Sequence, residues 1–262
     1  ETQRGGQILV ATNNILSRGL SPSAGAERSA GSIPAYPPST TQSPRALRSI
    51  KLSGPAGQLE AVLNEGSANA RFAALVCHPH PLGGGNLHNK VVYHAMKALN
   101  APEWDLGCPV LRFNFRGTGL SKGTHHGEAE TGDVMAGIDW LTREFQLPLI
   151  VAGFSFGAAM ALRACGSCRE QRDVRAVIAL GLPTAASGHN YGYDFLKGLA
   201  LPKLFLSGDR DAFGPADQLT EVIAAAAEPK RLIFISGADH FFTGHLEMMQ
   251  RAFAGWLKEQ LP

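Results

Sequence analysis

Short continuous apolar runs alternate along this chain with longer stretches whose apolar residues recur every three or four positions. The runs Ala73 to Cys77, Pro109 to Phe115, Leu149 to Ala152, Val174 to Leu180, Lys203 to Ser207 and Arg231 to Ile235 are too short for helices and have no polar alternation. That is the signature of strands covered on both faces, as in a parallel sheet. Helical spacing marks Asn89 to Leu99, with Val91, Val92, Ala95, Met96 and Leu99 on one face. It marks Thr131 to Phe145 through Val134, Ile138 and Leu141, and a closing amphipathic segment near Leu246 to Leu261. Before the first buried run, Ser49 to Leu52 and Leu59 to Leu63 flank a Gly-Pro-Ala-Gly turn and read as a hairpin. Strand and helix in alternation predict an α/β domain with a mostly parallel sheet.

The N-terminal part breaks this rhythm. Ser17 to Arg45 is rich in Ser, Pro, Gly and Ala with little apolar periodicity, so residues 1–45 read as an extended arm or linker and 46–262 as the folded domain. Within the arm, Gln7 to Ala11 is a stray apolar run expected to pack as a strand elsewhere or on another subunit, which makes the arm a route to a homo-oligomer. With 262 residues and 44% hydrophobic content the chain can bury a full core as a single domain. Lys and Arg number 24 against 22 Asp and Glu, a net +2 with no basic block, so nucleic acid is not an expected partner. No apolar run is long enough to cross a bilayer, so no membrane partner is expected. Glu1 to Gly6 lack the apolar centre of a leader, and the expected location is cytoplasmic.

Chemistry concentrates where strands end. Leu149 to Ala152 runs into Gly153-Phe154-Ser155-Phe156-Gly157, a G-x-S-x-G spacing that forces a sharp strand-to-helix turn and presents one hydroxyl at a helix N-terminus, where its dipole favours a developing oxyanion. Ala73 to Cys77 runs into His78-Pro79-His80-Pro81-Leu82-Gly83-Gly84-Gly85. Prolines stiffen that loop and cannot donate, which leaves His80, Leu82 and the glycines to offer N–H groups. A metal reading of His78-x-His80 lacks a third ligand at a sensible spacing, and the glycines of Arg116 to Gly123 lack the spacing of a phosphate loop. Glu128, Glu130 and Asp133, near the start of a helix, are expected to serve its dipole and Arg116. Cys165-x-x-Cys168 falls at a helix end, where a thioredoxin-like pair gains nothing from the dipole. Lys203 to Ser207 empties into Gly208-Asp209-Arg210-Asp211, and Arg231 to Ile235 into Ser236-Gly237-Ala238-Asp239-His240. Nucleophile, acid and base thus follow strand ends in the order Ser, Asp, His.

These features together resemble the α/β-hydrolases. The run Cys77-His78-Pro79-His80-Pro81 with Gly83-Gly84, plus Asn114-Phe115-Arg116-Gly117 and Ser121, is similar to a compact bacterial subgroup near the dienelactone hydrolases and small serine esterases, across about Arg48 to Leu261. The resemblance implies a mostly parallel eight-stranded sheet flanked by helices, and a Ser155–Asp211–His240 triad with no metal or organic cofactor. It places the acid at the fourth residue of Gly-x-x-Asp, hence Asp211 and not Asp209. The oxyanion donors expected are the N–H of Phe156 and one from the loop, Leu82 first and His80 second. Only Pro183 to Leu201 is left to form a minimal cap, in which Tyr191 and Phe195 are the expected substrate wall. The expected activity is hydrolysis of short-acyl carboxylic esters, small molecules, through an acyl-enzyme. Thioesterase, lactone hydrolase, peptidase and a non-catalytic binding protein on the same fold are the alternatives.

Overall fold

The computed structural model describes residues 7–11, 46–167, 173–186 and 189–261. The strands are β1 (Gln7–Ala11), β2 (Leu47–Gly54), β3 (Gly57–Asn64), β4 (Ala73–Cys77), β5 (Val110–Phe113), β6 (Leu149–Phe154), β7 (Val174–Leu180), β8 (Ala185–Ala186), β9 (His189–Asn190), β10 (Lys203–Gly208) and β11 (Lys230–Ile235). The helices are α1 (Lys90–Asn100), α2 (Thr131–Phe145), α3 (Phe156–Ser167), α4 (Ala216–Ala224) and α5 (Leu246–Gln260). One sheet in the order β1-β11-β10-β7-β6-β4-β5-β3-β2 contains all the strands except the small β8/β9 pair. The hairpin β2/β3 and the β3/β5 pair are antiparallel, and every other pairing in the sheet is parallel. From Leu47 onward the chain supplies the eight strands that the resemblance implies, and β1 adds a ninth at the edge, in parallel register with β11 from Gln7 opposite Arg231 to Ala11 opposite Ile235. Of the two placements expected for that run, the one realised is on the chain's own sheet.

The uninterrupted apolar runs feed two cores because successive residues of a strand point to opposite faces. In β4, Ala73, Leu75 and Cys77 join the layer under α2, α3 and α4, while Ala74 and Val76 join the layer under α1 and α5. β6 divides the same way, with Val151 in the first layer and Ile150, Ala152 and Phe154 in the second. Burial of a large apolar side chain contributes about 1.5–3 kcal/mol, so two such layers hold the central strands firmly. Local signals set the helix ends. The Asn89 side chain accepts the Val91 N–H at 2.9 Å to open α1, and Gln146, in the left-handed region at φ 53°, closes α2 through its N–H to the Thr142 carbonyl at 3.1 Å. Among the described residues no helix is long and apolar enough to cross a membrane. Cys165 is buried in the last turn of α3, and Cys168 lies outside the described residues.

Candidate active site

β6 ends at Phe154 and α3 begins at Phe156, so the whole reversal falls on Ser155, whose φ is 54°. A β-carbon-bearing residue rarely adopts that conformation, and it persists because the elements on either side fix it. The flanking glycines are required by contact: a Cβ at Gly153 would stand 2.2 Å from the Gly157 carbonyl oxygen, and one at Gly157 would stand 2.4 Å from that of His78. The G-x-S-x-G spacing therefore lets β6, the start of α3 and the end of β4 close on one another. Ser155 keeps 8% of its surface exposed.

The loops after β10 and β11 bring an acid and an imidazole to this hydroxyl. His240 Nε2 lies 2.9 Å from Ser155 Oγ, and His240 Nδ1 lies 2.8 Å from Asp211 Oδ2. A carboxylate accepts only, so Nδ1 carries the ring proton and Nε2 faces the serine with a lone pair. Asp211 is itself held on both oxygens. Ser207 donates its hydroxyl to Oδ2 at 3.1 Å, and the N–H groups of Phe213 and Gly214 donate to Oδ1 at 2.8 and 3.2 Å. Asp209, two residues earlier, accepts the Gly237 N–H at 2.7 Å and ties the two loops together at the surface. The carboxylate chosen by Gly-x-x-Asp is thus the one beside the histidine. Nothing in the sequence reading singled out Ser207, a polar residue inside an otherwise apolar strand.

Between the ends of β4 and β5 and the start of α2 lies a second buried network. His78 accepts the Phe115 N–H on Nε2 at 2.9 Å and so donates from Nδ1 to the Pro79 carbonyl at 2.6 Å. Both ring nitrogens are committed, and burial lowers its pKa from 6.5 to about 4. Arg116 grips Asp133 through its Nη2 to Oδ1 at 2.7 Å, its Nε to Oδ2 at 3.0 Å and its backbone N–H to Oδ2 at 3.0 Å. Of the three acids expected to serve Arg116 and the helix, Asp133 is the partner. Glu130, fully buried, instead accepts the N–H groups of His126 and Gly127 at 2.8 and 2.9 Å, with His125 Nδ1 2.9 Å away but off the line of a good hydrogen bond.

The loop after β4 corrects one expectation. Leu82 projects into solvent with 80% of its surface exposed, and its N–H donates to His80 Nδ1 at 3.2 Å. The N–H groups of Gly83, Gly84 and Gly85 close a 3₁₀ turn onto the carbonyls of His80 and Pro81. The donors after Pro81 are therefore spent within the loop, and the Leu82 N–H has an acceptor there already. Phe156 N–H belongs to the first turn of α3, where no intrahelical acceptor exists. The His80 and Phe156 rings meet edge to face with centroids 5.1 Å apart.

Beside Phe156 a cleft of about 220 Å³ runs along α3, lined by Phe156, Met160 and Arg163 on the helix and by His80 and Tyr191 across from it. Of the two residues expected to wall the substrate, Tyr191 is there. Phe195, in the Asp194–Gly198 3₁₀ turn, is not part of that lining and packs against Gly166 and beneath the Arg163 guanidinium at 5.5 Å. Around His240 the rings are Phe154, Phe213 and Phe241, with centroids 5.0, 4.5 and 5.2 Å from its own.

A mostly parallel sheet carrying a strained serine after β6, an acid after β10 and a histidine after β11 defines a hydrolase of the α/β type. A family model described as an alpha/beta hydrolase domain matches residues 75–248, and the chain belongs to that family. It is 35% identical over 217 residues, 79% of its own length and 87% of the relative's, to an uncharacterized protein of Rickettsia prowazekii. Among solved structures, an alpha-beta serine hydrolase homologue from Coxiella burnetii is 31% identical, with 80% of this chain and 97% of that one covered at a TM-score of 0.71. A Xanthomonas campestris protein described as a serine hydrolase without a lid is 27% identical, with 88% and 99% covered at a TM-score of 0.72.

Proposed function

We propose that this chain is a serine carboxylic-ester hydrolase acting on small, short-acyl esters through an acyl-enzyme. The observation that carries this reading is the hydrogen-bonded line from Ser155 Oγ through the His240 ring to Asp211, at 2.9 and 2.8 Å. In the first step the Ser155 oxygen attacks the ester carbonyl while its proton passes to His240 Nε2. The carbonyl oxygen becomes an oxyanion held by the Phe156 N–H and the His80 segment. Collapse breaks the bond to the alcohol, which leaves with the proton from His240. Water, deprotonated by the same nitrogen, then attacks the acyl-enzyme and releases the carboxylic acid, and the proton returns to Ser155. Asp211 holds the ring in the tautomer that can do this, and its own bonds to Ser207, Phe213 and Gly214 fix its orientation.

The preference for short acyl groups rests on the cap. Among the described residues, the segment between β7 and β10 holds the two-residue strands β8 and β9 and one 3₁₀ turn, too little to enclose a long apolar tunnel. A series of p-nitrophenyl esters tests this: kcat/KM is expected to peak between acetate and hexanoate, and an optimum at palmitate would refute the shallow cleft. An organophosphonate is expected to label Ser155; labelling of Ser121, or of Ser155→Ala as readily as of the parent, would remove the nucleophile from its assigned place.

A further inference from the structure

The cleft along α3 contains a cation that the proposed chemistry does not use. Phe156, Met160 and Arg163 stand at i, i+4 and i+7, one face of the helix, so the residue that follows the nucleophile and Arg163 share a wall. The Arg163 guanidinium rests on the Phe195 ring and donates from Nη2 to the Gly192 carbonyl at 3.2 Å, while its Nε is buried without an acceptor. Among the described residues no carboxylate lies in ion-pair contact with it, although Glu128 borders the same cleft from an exposed position. With one Nη2 hydrogen given to Gly192, the other terminal N–H groups of this guanidinium are the ones able to meet a planar anion in the cleft, and Arg with carboxylate forms the paired bonds that suit it.

The direction of the substrate follows from His240. The alcohol must leave beside the nitrogen that protonates it, among Phe213 and Phe241. The cleft meets this site through Phe156, the residue after Ser155, so an acyl group directed away from His240 and along the cleft would pass Phe156 toward Arg163. From Phe156 to Arg163 is about 10 Å of helix axis, and a helical side chain leans back toward the N-terminus, so an acyl group about four to six carbons long spans the gap.

We propose that Arg163 forms an anion subsite that selects esters whose acyl group ends in a carboxylate, the monoesters of short dicarboxylic acids. This rests on the esterase reading above, and the test separates the two. The full chain is assayed with the mono-p-nitrophenyl esters of succinic, glutaric and adipic acids, each against the neutral p-nitrophenyl ester of equal length. The parent is expected to favour the charged member of at least one pair by tenfold or more in kcat/KM. Arg163→Gln is expected to bring that ratio to one or below, and Arg163→Lys to leave it in between, since a point charge replaces a planar fork. Glu128→Gln should raise the ratio by removing an opposing charge. A parent ratio of one or less at every length, or a ratio that Arg163→Gln does not change, overturns the subsite while leaving the esterase intact. If no ester is turned over, the esterase reading fails, and the subsite is judged by calorimetric titration of the parent and Arg163→Gln with glutarate and adipate monomethyl esters. Binding to the parent that is weakened tenfold in the variant supports the subsite, and equal binding or none overturns it.

Discussion

Two buried polar networks stand side by side at the carboxyl ends of the strands, and they use similar residues differently. In one, Asp211, His240 and Ser155 form a line that stops at a hydroxyl with 8% of its residue's surface exposed. In the other, His78 is closed on both nitrogens between Phe115 and Pro79, and Asp133 is closed around Arg116. Buried histidine, buried acid and good hydrogen bonds are common to both. What separates them is the last atom: His240 spends one nitrogen on its acid and aims the other at a nucleophile, whereas His78 spends both on backbone. On the proposed chemistry the first network moves a proton, and the second holds the ends of β4 and β5 against α2. Each of the following changes tests that division.

The largest effect is expected at the open end of the first network. Ser155→Ala should lower esterase kcat by about 10⁵-fold or more, because the lost group forms the covalent bond, while circular dichroism and melting stay near those of the parent. Turnover within tenfold of the parent would show that the line ends on a bystander. Next comes the choice between two neighbouring acids. Asp211→Asn should cost about 10³–10⁴-fold, since an amide presents a donor where the Nδ1–H needs an acceptor. Asp209→Asn, which touches only the Gly237 N–H, should change kcat by less than about threefold. The reverse ranking would move the acid.

The second network should answer in stability. Asp133→Asn leaves the Arg116 guanidinium buried without its carboxylate, and breaking a buried pair from one side costs about 3–5 kcal/mol. Urea unfolding of parent and variant measures it. A loss under about 1 kcal/mol would mean that this pair holds nothing in place.

The same division explains what was legible before the structure. Ser155, Asp211 and His240 could be read because each follows an apolar run, and such runs set the strand ends where parallel-sheet sites form. The buried strands and helices were legible for the same reason, with bounds shifted by a residue or two, as where β5 is the shorter run Val110–Phe113. The walls of the cleft were not. Whether the Leu82 N–H faces outward or onto the His80 ring is decided by a 3₁₀ turn that glycines and prolines allow but do not dictate. Which of Tyr191 and Phe195 lines the cleft could not be read, because the cap segment contains aromatic residues without a period and another short turn sets their places. Arg163 was readable in principle, since Phe156, Met160 and Arg163 share a helix face, but an arginine there reads first as a solvated end. The partner of β1 could not be read at all, because its register with β11 joins residues more than two hundred positions apart.

The smallest of these effects, and the sharpest for the comparison, is the response of His78 to acid. Its Nε2 accepts a backbone N–H that cannot turn away, so a second ring proton would face the Phe115 N–H head on, in a site closed to the surface. Burial is the larger cause of its low pKa of about 4, and the bond to the Pro79 carbonyl opposes it in part. In the unfolded chain the ring titrates near 6.5. Above that pH both states are neutral and the stability is fully present. As pH falls from about 6.5 to about 4 the unfolded state takes up a proton that the folded state refuses, and stability is lost; below about 4 both are charged and the loss levels off. A gap of that size corresponds to about 3 kcal/mol. Carboxylates titrate over part of the same range, so the measurement is a difference: urea unfolding at pH 7.5 and 4.5 for the parent and for His78→Gln, whose amide oxygen can accept the Phe115 N–H without titrating. The variant starts less stable at pH 7.5, having lost ring packing against Phe115, but its fall on acidification to pH 4.5 should be smaller than the parent's by about 2.5 kcal/mol, most of the full gap. Equal falls in the two proteins would mean that His78 takes its proton inside the fold, and that the second network is not closed in the way its hydrogen bonds describe.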